Sequence, residues 1–216
     1  MKKLIVIILT IVSYNAVAQT QLIGIKGGVS QTNIFSYEPT IRILESYQKS
    51  RTGFSGGITY EYLINNKFSL GADFIYNQRG YISGELNFSK SLYTYDFLSI
   101  PIKAYYNYGK KIIGFFDLGF IPSILIDAKS TTTYYYSRED RYSYNVTKDN
   151  KMFDFAGIGE IGIGYKLKKM YLYSSMSMQW SINTINDHYY TWGSRDYRHN
   201  GRTLSLGVKY ALDKSK

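Results

Sequence analysis

The chain has no cysteine, three prolines, two tryptophans and two histidines in 216 residues. Without cysteine there is no disulfide framework, no thiolate metal site and no cysteine nucleophile. Two histidines leave little for a histidine-based metal centre. Carboxylates are in the minority, 16 against 26 Lys and Arg, giving a formal charge of +10. Long apolar runs are missing too. Mean hydropathy is slightly negative, and a polytopic helical membrane protein, which needs ~20 apolar residues per span, is excluded. What the chain does have is tyrosine, 24 residues, and glycine, 19. The length fits one domain of ordinary size. Tyrosine with positive charge invites a nucleic-acid reading, which has to survive a look at where those residues fall.

The first 18 residues have the three parts of a secretory signal. Lys2 and Lys3 are the positive start, Leu4 to Val12 is an apolar run interrupted by Thr10, and Ala16-Val17-Ala18 is an A-x-A cleavage site. The apolar run is too short to span a bilayer, and no cysteine follows it to carry a lipid. The expected organisation is therefore a cleaved signal peptide over residues 1–18 and one exported domain over residues 19–216. Export counts against a DNA- or RNA-binding role.

From Gln21 onward, apolar residues recur at every second position in eight segments of about ten residues, the period of a β-strand. In the first, Ile23, Ile25 and Val29 alternate with Gly24, Lys26 and Gly28. In the third, Phe68, Leu70, Phe74 and Tyr76 alternate with Ser69, Gly71 and Asp73. In the last, Leu204, Leu206, Val208, Tyr210 and Leu212 alternate with Ser205, Gly207 and Lys209. A soluble sandwich also alternates, but its polar face is wet. Here the polar face is glycine and serine with about one charge per segment, which suits the crowded lumen of a small closed barrel, and the apolar face suits lipid. Three connections are short, at Asn65-Asn66-Lys67, Gly109-Lys110-Lys111 and Lys168-Lys169. Four are long, near residues 35–53, 80–94, 128–153 and 184–200. Short turns on one rim and long loops on the other are the asymmetry of bacterial outer-membrane barrels. The expected fold is all-β, an eight-stranded antiparallel up-and-down transmembrane barrel with short periplasmic turns and long extracellular loops.

Two stretches carry resemblances. Ser205, Gly207, Tyr210 and Leu212 follow a polar-x-Gly-x-x-aromatic-x-apolar pattern similar to the C-terminal signal read by the outer-membrane insertion machinery. It departs from the usual form in being followed by Asp213-Lys214-Ser215-Lys216. Gly24-Ile25-Lys26-Gly27-Gly28-Val29-Ser30, Gly53-Phe54-Ser55-Gly56-Gly57-Ile58, Tyr76-Asn77-Gln78-Arg79-Gly80 and Tyr95-Asp96-Phe97-Leu98-Ser99-Ile100-Pro101 resemble the PorT-like outer-membrane β-barrels common in Bacteroidetes. Gly119-Phe120-Ile121-Pro122 is a looser match, and Gln19 after the cleavage site fits the same lineage. The resemblance implies an outer-membrane location and, since the founding member is implicated in type IX secretion, a link to a secretion system. The shared motifs are structural glycines, turns and one strand proline, so they specify a fold and not a reaction.

Candidate functional residues fall into three groups. Lys26, Glu61, Asp73, Lys103, Asp117, Glu160 and Lys209 lie on the lumen face. In a barrel this narrow they must pair; the alternative is a proton or ion pathway. His188 and His199 sit in the last long connection near Asp187 and Asp196, as solvated loop residues. The alternative there is an outer-rim hydrolase like the lipid A deacylases, phospholipases and omptin proteases, but no spacing sets a base against a nucleophile. Loop aromatics form the third group: Tyr134, Tyr135, Tyr136, Tyr142, Tyr144, Tyr189, Tyr190 and Trp192, with Tyr37, Tyr47, Tyr93 and Tyr197 in or beside the same connections. Exposed tyrosines give rigid contact area for a protein, glycan or lipopolysaccharide ligand, or simply favour strands in hairpins beyond the bilayer.

Basic residues divide by rim. Lys67, Lys110, Lys111, Lys168 and Lys169 crowd the short turns, and Arg138, Arg141, Arg195, Arg198 and Arg202 lie on the loop side, toward lipid A phosphates. Neither set makes a basic groove interleaved with aromatics, so nucleic acid is excluded. The expectation is a monomeric, non-enzymatic outer-membrane protein without cofactor or metal, partnered by outer-membrane lipids and lipopolysaccharide.

Overall fold

The computed structural model describes residues 20–35, 48–85, 89–135, 139–185 and 197–212. The signal segment lies outside the described residues. Among the described residues there are ten strands: β1 (Gln21–Phe35), β2 (Gln48–Leu63), β3 (Phe68–Glu85), β4 (Ser89–Ser99), β5 (Ile102–Gly109), β6 (Ile112–Tyr135), β7 (Glu139–Asn145), β8 (Phe153–Leu167), β9 (Met170–Ser181) and β10 (Arg198–Leu212). They build an antiparallel ring of eight positions. β4 and β5 share one position between β3 and β6, and β7 is a side branch paired to β6 alone. The ring closes where β1 runs against β10, from Gln21 opposite Leu212 to Phe35 opposite Arg198.

The fourth segment reads as one strand in the sequence and is two in the structure. Pro101 has no N–H to give the ladder, so pairing lapses at Ile100-Pro101. The neighbours repair the break. The Asp73 N–H donates to the Pro101 carbonyl at 3.0 Å, and the Ile100 N–H donates to the Pro122 carbonyl at 2.9 Å. Short turns behave as expected: Gly109 takes φ +116 and Lys168 φ +49, the left-handed geometry that tight hairpin turns demand. On the opposite rim two of the connections are largely hairpin extensions. β3 and β4 pair to Glu85–Ser89, and β6 and β7 pair to Tyr135–Glu139.

Side chains are arranged inside out relative to a soluble protein. Ile25, Val29, Phe54, Ile58, Leu118, Ile161, Leu204 and Leu206 are all more than half exposed on the outer surface, while Glu61, Asp73, Lys103, Asp117, Glu160 and Lys209 are buried within. Water would penalise that exterior and lipid favours it. Among the described residues no helix is long and apolar enough to cross a membrane; strands do the crossing.

Glycines on the lumen face make room for rings. A Cβ on Gly207 would sit 2.4 Å from the Tyr173 ring, one on Gly164 2.3 Å from Tyr171, and one on Gly162 2.3 Å from Phe115. Gly27, on the lipid face, would meet nothing nearer than 3.9 Å. Gly207→Val should therefore lower the yield of folded barrel severalfold while Gly27→Val folds like the parent. The fraction of heat-shifted band in unboiled samples on a denaturing gel measures this, and equal loss in both variants would contradict the packing argument.

Candidate functional site

The lumen is filled in layers, each built by the two-residue alternation of several strands. The lowest charged layer joins β1, β3, β5 and β8. Lys103 Nζ lies 2.9 Å from Asp73 and 2.8 Å from Glu160, and Lys26 Nζ lies 3.2 and 3.5 Å from the same two carboxylates. Each lysine thus bridges both acids. Beside them Lys209 donates to Glu61 at 2.6 Å, Ser69 Oγ donates to the same carboxylate, and Lys209 stands over the Tyr105 and Tyr173 rings at 5.0 and 4.8 Å. Charges this deep are tolerated because partners replace water on every side. Asp117 differs. It is buried and lies directly opposite Glu160 in register, and among the described residues it lacks the lysine ion pairs that hold Asp73.

A second ionic layer, nearer the loop rim, is absent from the residues singled out in the sequence. Arg79, fully buried, pairs with Asp154, donates to Ser123 Oγ at 3.1 Å and covers the Phe97 ring at 4.6 Å. Its signal was the parity of β3: Asp73, Asn77 and Arg79 share one face once the strand is allowed to run past Gly80. His199 departs from the loop expectation for the same reason. β10 starts at Arg198, and the parity of Lys209, Gly207 and Ser205 carries inward to His199. That side chain is 1% exposed and packs edge-on against Tyr95 and Phe97. A histidine walled in by rings is no general base for an external substrate. His188, Asp187 and Asp196 lie outside the described residues.

Above this layer the lumen ends in an apolar lid of Ile34, Tyr95, Phe97, Leu125, Ala128 and Ile185, with Tyr81, Tyr93 and Tyr197 packed on it. Tyr93 and Tyr197 are therefore part of the lid and not exposed loop residues. At the short-turn end Tyr105, Phe115, Tyr171 and Tyr173 form an aromatic cluster, below which a cavity of about 780 Å³ opens outward. Between the ionic layers lies a small cavity of about 30 Å³ lined by Lys26, Ser55, Asn77 and Ser99 among others.

The outer hairpin of β6 and β7 carries the described members of the tyrosine group. Tyr134, Tyr135, Tyr142 and Tyr144 are exposed, and Tyr134 meets Tyr142 edge-on at 6.1 Å. The hairpin is tied down at its base, where Asp127 accepts from Asn145 at 2.7 Å and from Lys129 at 2.8 Å. Tyr136, Tyr189, Tyr190 and Trp192 lie outside the described residues, as do Tyr37 and Tyr47. Of the insertion-signal residues, Ser205 is buried in the lumen, Gly207 lies under the Tyr173 ring, and Tyr210 and Leu212 face outward. Among the described residues no three His, Asp or Glu side chains converge as a metal-ligand set.

A closed ring with an apolar exterior, a lumen of paired charges and one short-turn rim defines an integral β-barrel of the bacterial outer membrane. The chain belongs to the outer membrane protein beta-barrel domain family, whose sequence pattern matches residues 17–187. Among solved structures, the chain is similar to Neisserial surface protein A, with 14% identity over 88% of this chain and 97% of that one and a TM-score of 0.46. It is similar to Ail, the attachment invasion locus protein of Yersinia pestis, with 13% identity, 88% and 98% coverage and a TM-score of 0.42. It is also similar to OprG of Pseudomonas aeruginosa, with 12% identity, 90% and 97% coverage and a TM-score of 0.47. No curated protein matches it in sequence.

The two ways of placing a carboxylate in the lower layer should respond differently to neutralisation. Asp73→Asn removes a charge shared by Lys26 and Lys103 and should cost about 3–5 kcal/mol. Asp117→Asn keeps the shape, removes a charge that faces Glu160, and should cost less than about 1 kcal/mol. Urea unfolding of the barrel in lipid vesicles measures both, and equal destabilisation would contradict the pairing scheme.

Proposed function

We propose that this protein is a sealed, non-enzymatic component of the outer-membrane surface that acts through its outer hairpins. The observation that carries the reading is the contrast between the two parts. The lumen is closed by ion pairs and an apolar lid, whereas the β6–β7 hairpin holds four tyrosines in the open on an anchored strand pair. Lys26, Glu61, Asp73, Lys103, Asp117, Glu160 and Lys209 then serve as a structural plug, not as an ion pathway. Its partners are outer-membrane lipid and lipopolysaccharide around the barrel and a protein or glycan ligand above it. Residues 1–18 direct export, and Ser205, Gly207, Tyr210 and Leu212 serve the insertion machinery. The resemblance to PorT-like barrels supports a second reading, an accessory role in protein secretion.

Two variants separate these readings while sparing the barrel. One replaces residues 131–143 by Asn-Gly, leaving the Lys129–Asn145 pair and the Asp127 anchor; the other changes Tyr134, Tyr135, Tyr142 and Tyr144 to Ser. Cells carrying parent or variant are compared for binding to arrayed glycans and to immobilised lipopolysaccharide. Exposed anchor tyrosines contribute about 1–2 kcal/mol each, so both variants should bind at least tenfold less. Unchanged binding would sink the surface reading, and secreted cargo stranded in the periplasm of a deletion strain would favour the secretion one.

A further inference from the structure

The cavity at the short-turn end takes no part in the surface reading, and its chemistry is unlike the rest of the lumen. It measures about 780 Å³, within the range of ~300–1,000 Å³ typical of small-molecule sites. Its inner end is blocked by the aromatic cluster and the paired charges above it, so it is a cup open to the periplasm alone. The wall is apolar, made by Leu22, Leu63, Ile113, Phe115 and Tyr171. The rim is cationic, with Lys67, Lys110 and Lys166 around the opening. Among the described residues Glu61 is the one acidic side chain in the lining, and Lys209 already neutralises it at 2.6 Å. Packing of Gly71, Gly162 and Gly164 against the rings holds the wall in place: a Cβ at those positions would lie 2.7, 2.3 and 2.3 Å from Tyr105, Phe115 and Tyr171.

From this arrangement we infer that the periplasmic mouth is a binding site for a small amphipathic anion, its phosphate or carboxylate head among the rim lysines and its apolar tail in the cup. An inorganic anion would leave the apolar wall wet, and a neutral apolar molecule would make no use of the positive charge at the rim. The same chemistry is found in a soluble periplasmic compound and in the headgroup end of an anionic inner-leaflet lipid.

The test uses the full mature barrel in nanodiscs of zwitterionic lipid, titrated with octyl phosphate by calorimetry. The site should saturate at one ligand per barrel. Ala211→Trp, which intrudes into the cup from the β1–β10 seam, should weaken binding at least tenfold. The Lys67→Glu, Lys110→Glu, Lys166→Glu triple variant, altered only at the exposed rim, should weaken it roughly tenfold or more, the scale of a lost charge-assisted contact. Octyltrimethylammonium should not bind. Heat-dependent migration on gels confirms that each variant is folded. If phosphatidylglycerol in the disc competes with octyl phosphate, the natural occupant is a lipid headgroup; if it does not, the occupant is soluble, and either result supports the site. Equal binding of inorganic phosphate, non-saturating partition, or full binding by Ala211→Trp would overturn it. These outcomes are independent of the outer hairpin, so the cup and the surface role stand or fall separately.

Discussion

Everything in this barrel follows from one constraint: inside hydrocarbon there is no water to satisfy a backbone N–H or carbonyl. An open sheet edge there would cost several kcal/mol for each unpaired group. β1 and β10 meet over fifteen consecutive residue pairs to remove that edge. Even the lapse at Pro101 is mended, by carbonyls of Pro101 and Pro122 accepting from neighbouring strands. Closure with eight positions fixes the diameter, and the diameter leaves an interior that side chains just fill.

That narrow interior accounts for the composition. At the short-turn end rings fit over glycines, so Gly162, Gly164 and Gly207 lie beneath Phe115, Tyr171 and Tyr173. Most charges fit as shared pairs, so two lysines bridge two carboxylates, and Arg79 finds Asp154 across the barrel, with Asp117 the exception. The exterior has the opposite requirement and is met by Ile, Leu, Val and Phe in the positions between. Tyrosine, which first invited a nucleic-acid reading, serves lumen, lid and outer hairpin alike.

Much of this was legible in the sequence because a strand's period of two is simple to follow. Fold class, short turns and the inward placement of the seven charged residues could be read directly from alternation. What escaped did so at strand ends. Arg79 and His199 lie beyond polar or glycine positions at which a strand pattern ordinarily stops, whereas Asp154 shares the inward parity of Glu160 but has its partner, Arg79, on a distant strand. The apolar lid was hidden for a related reason: Ile34, Tyr95, Leu125 and Ile185 come from four separate segments, and nothing in their spacing announces that they converge. The cup at the other end is shaped by turns and by the empty space under rings, which no linear pattern encodes.

The central claim is that paired charges and an apolar lid seal the lumen against ion flow. Electrical recording of the folded barrel in a planar bilayer tests it most directly. Sealed barrels should show no stepwise conductance above the bare membrane at moderate voltage and salt. Reproducible unit steps from the intact protein would contradict the account.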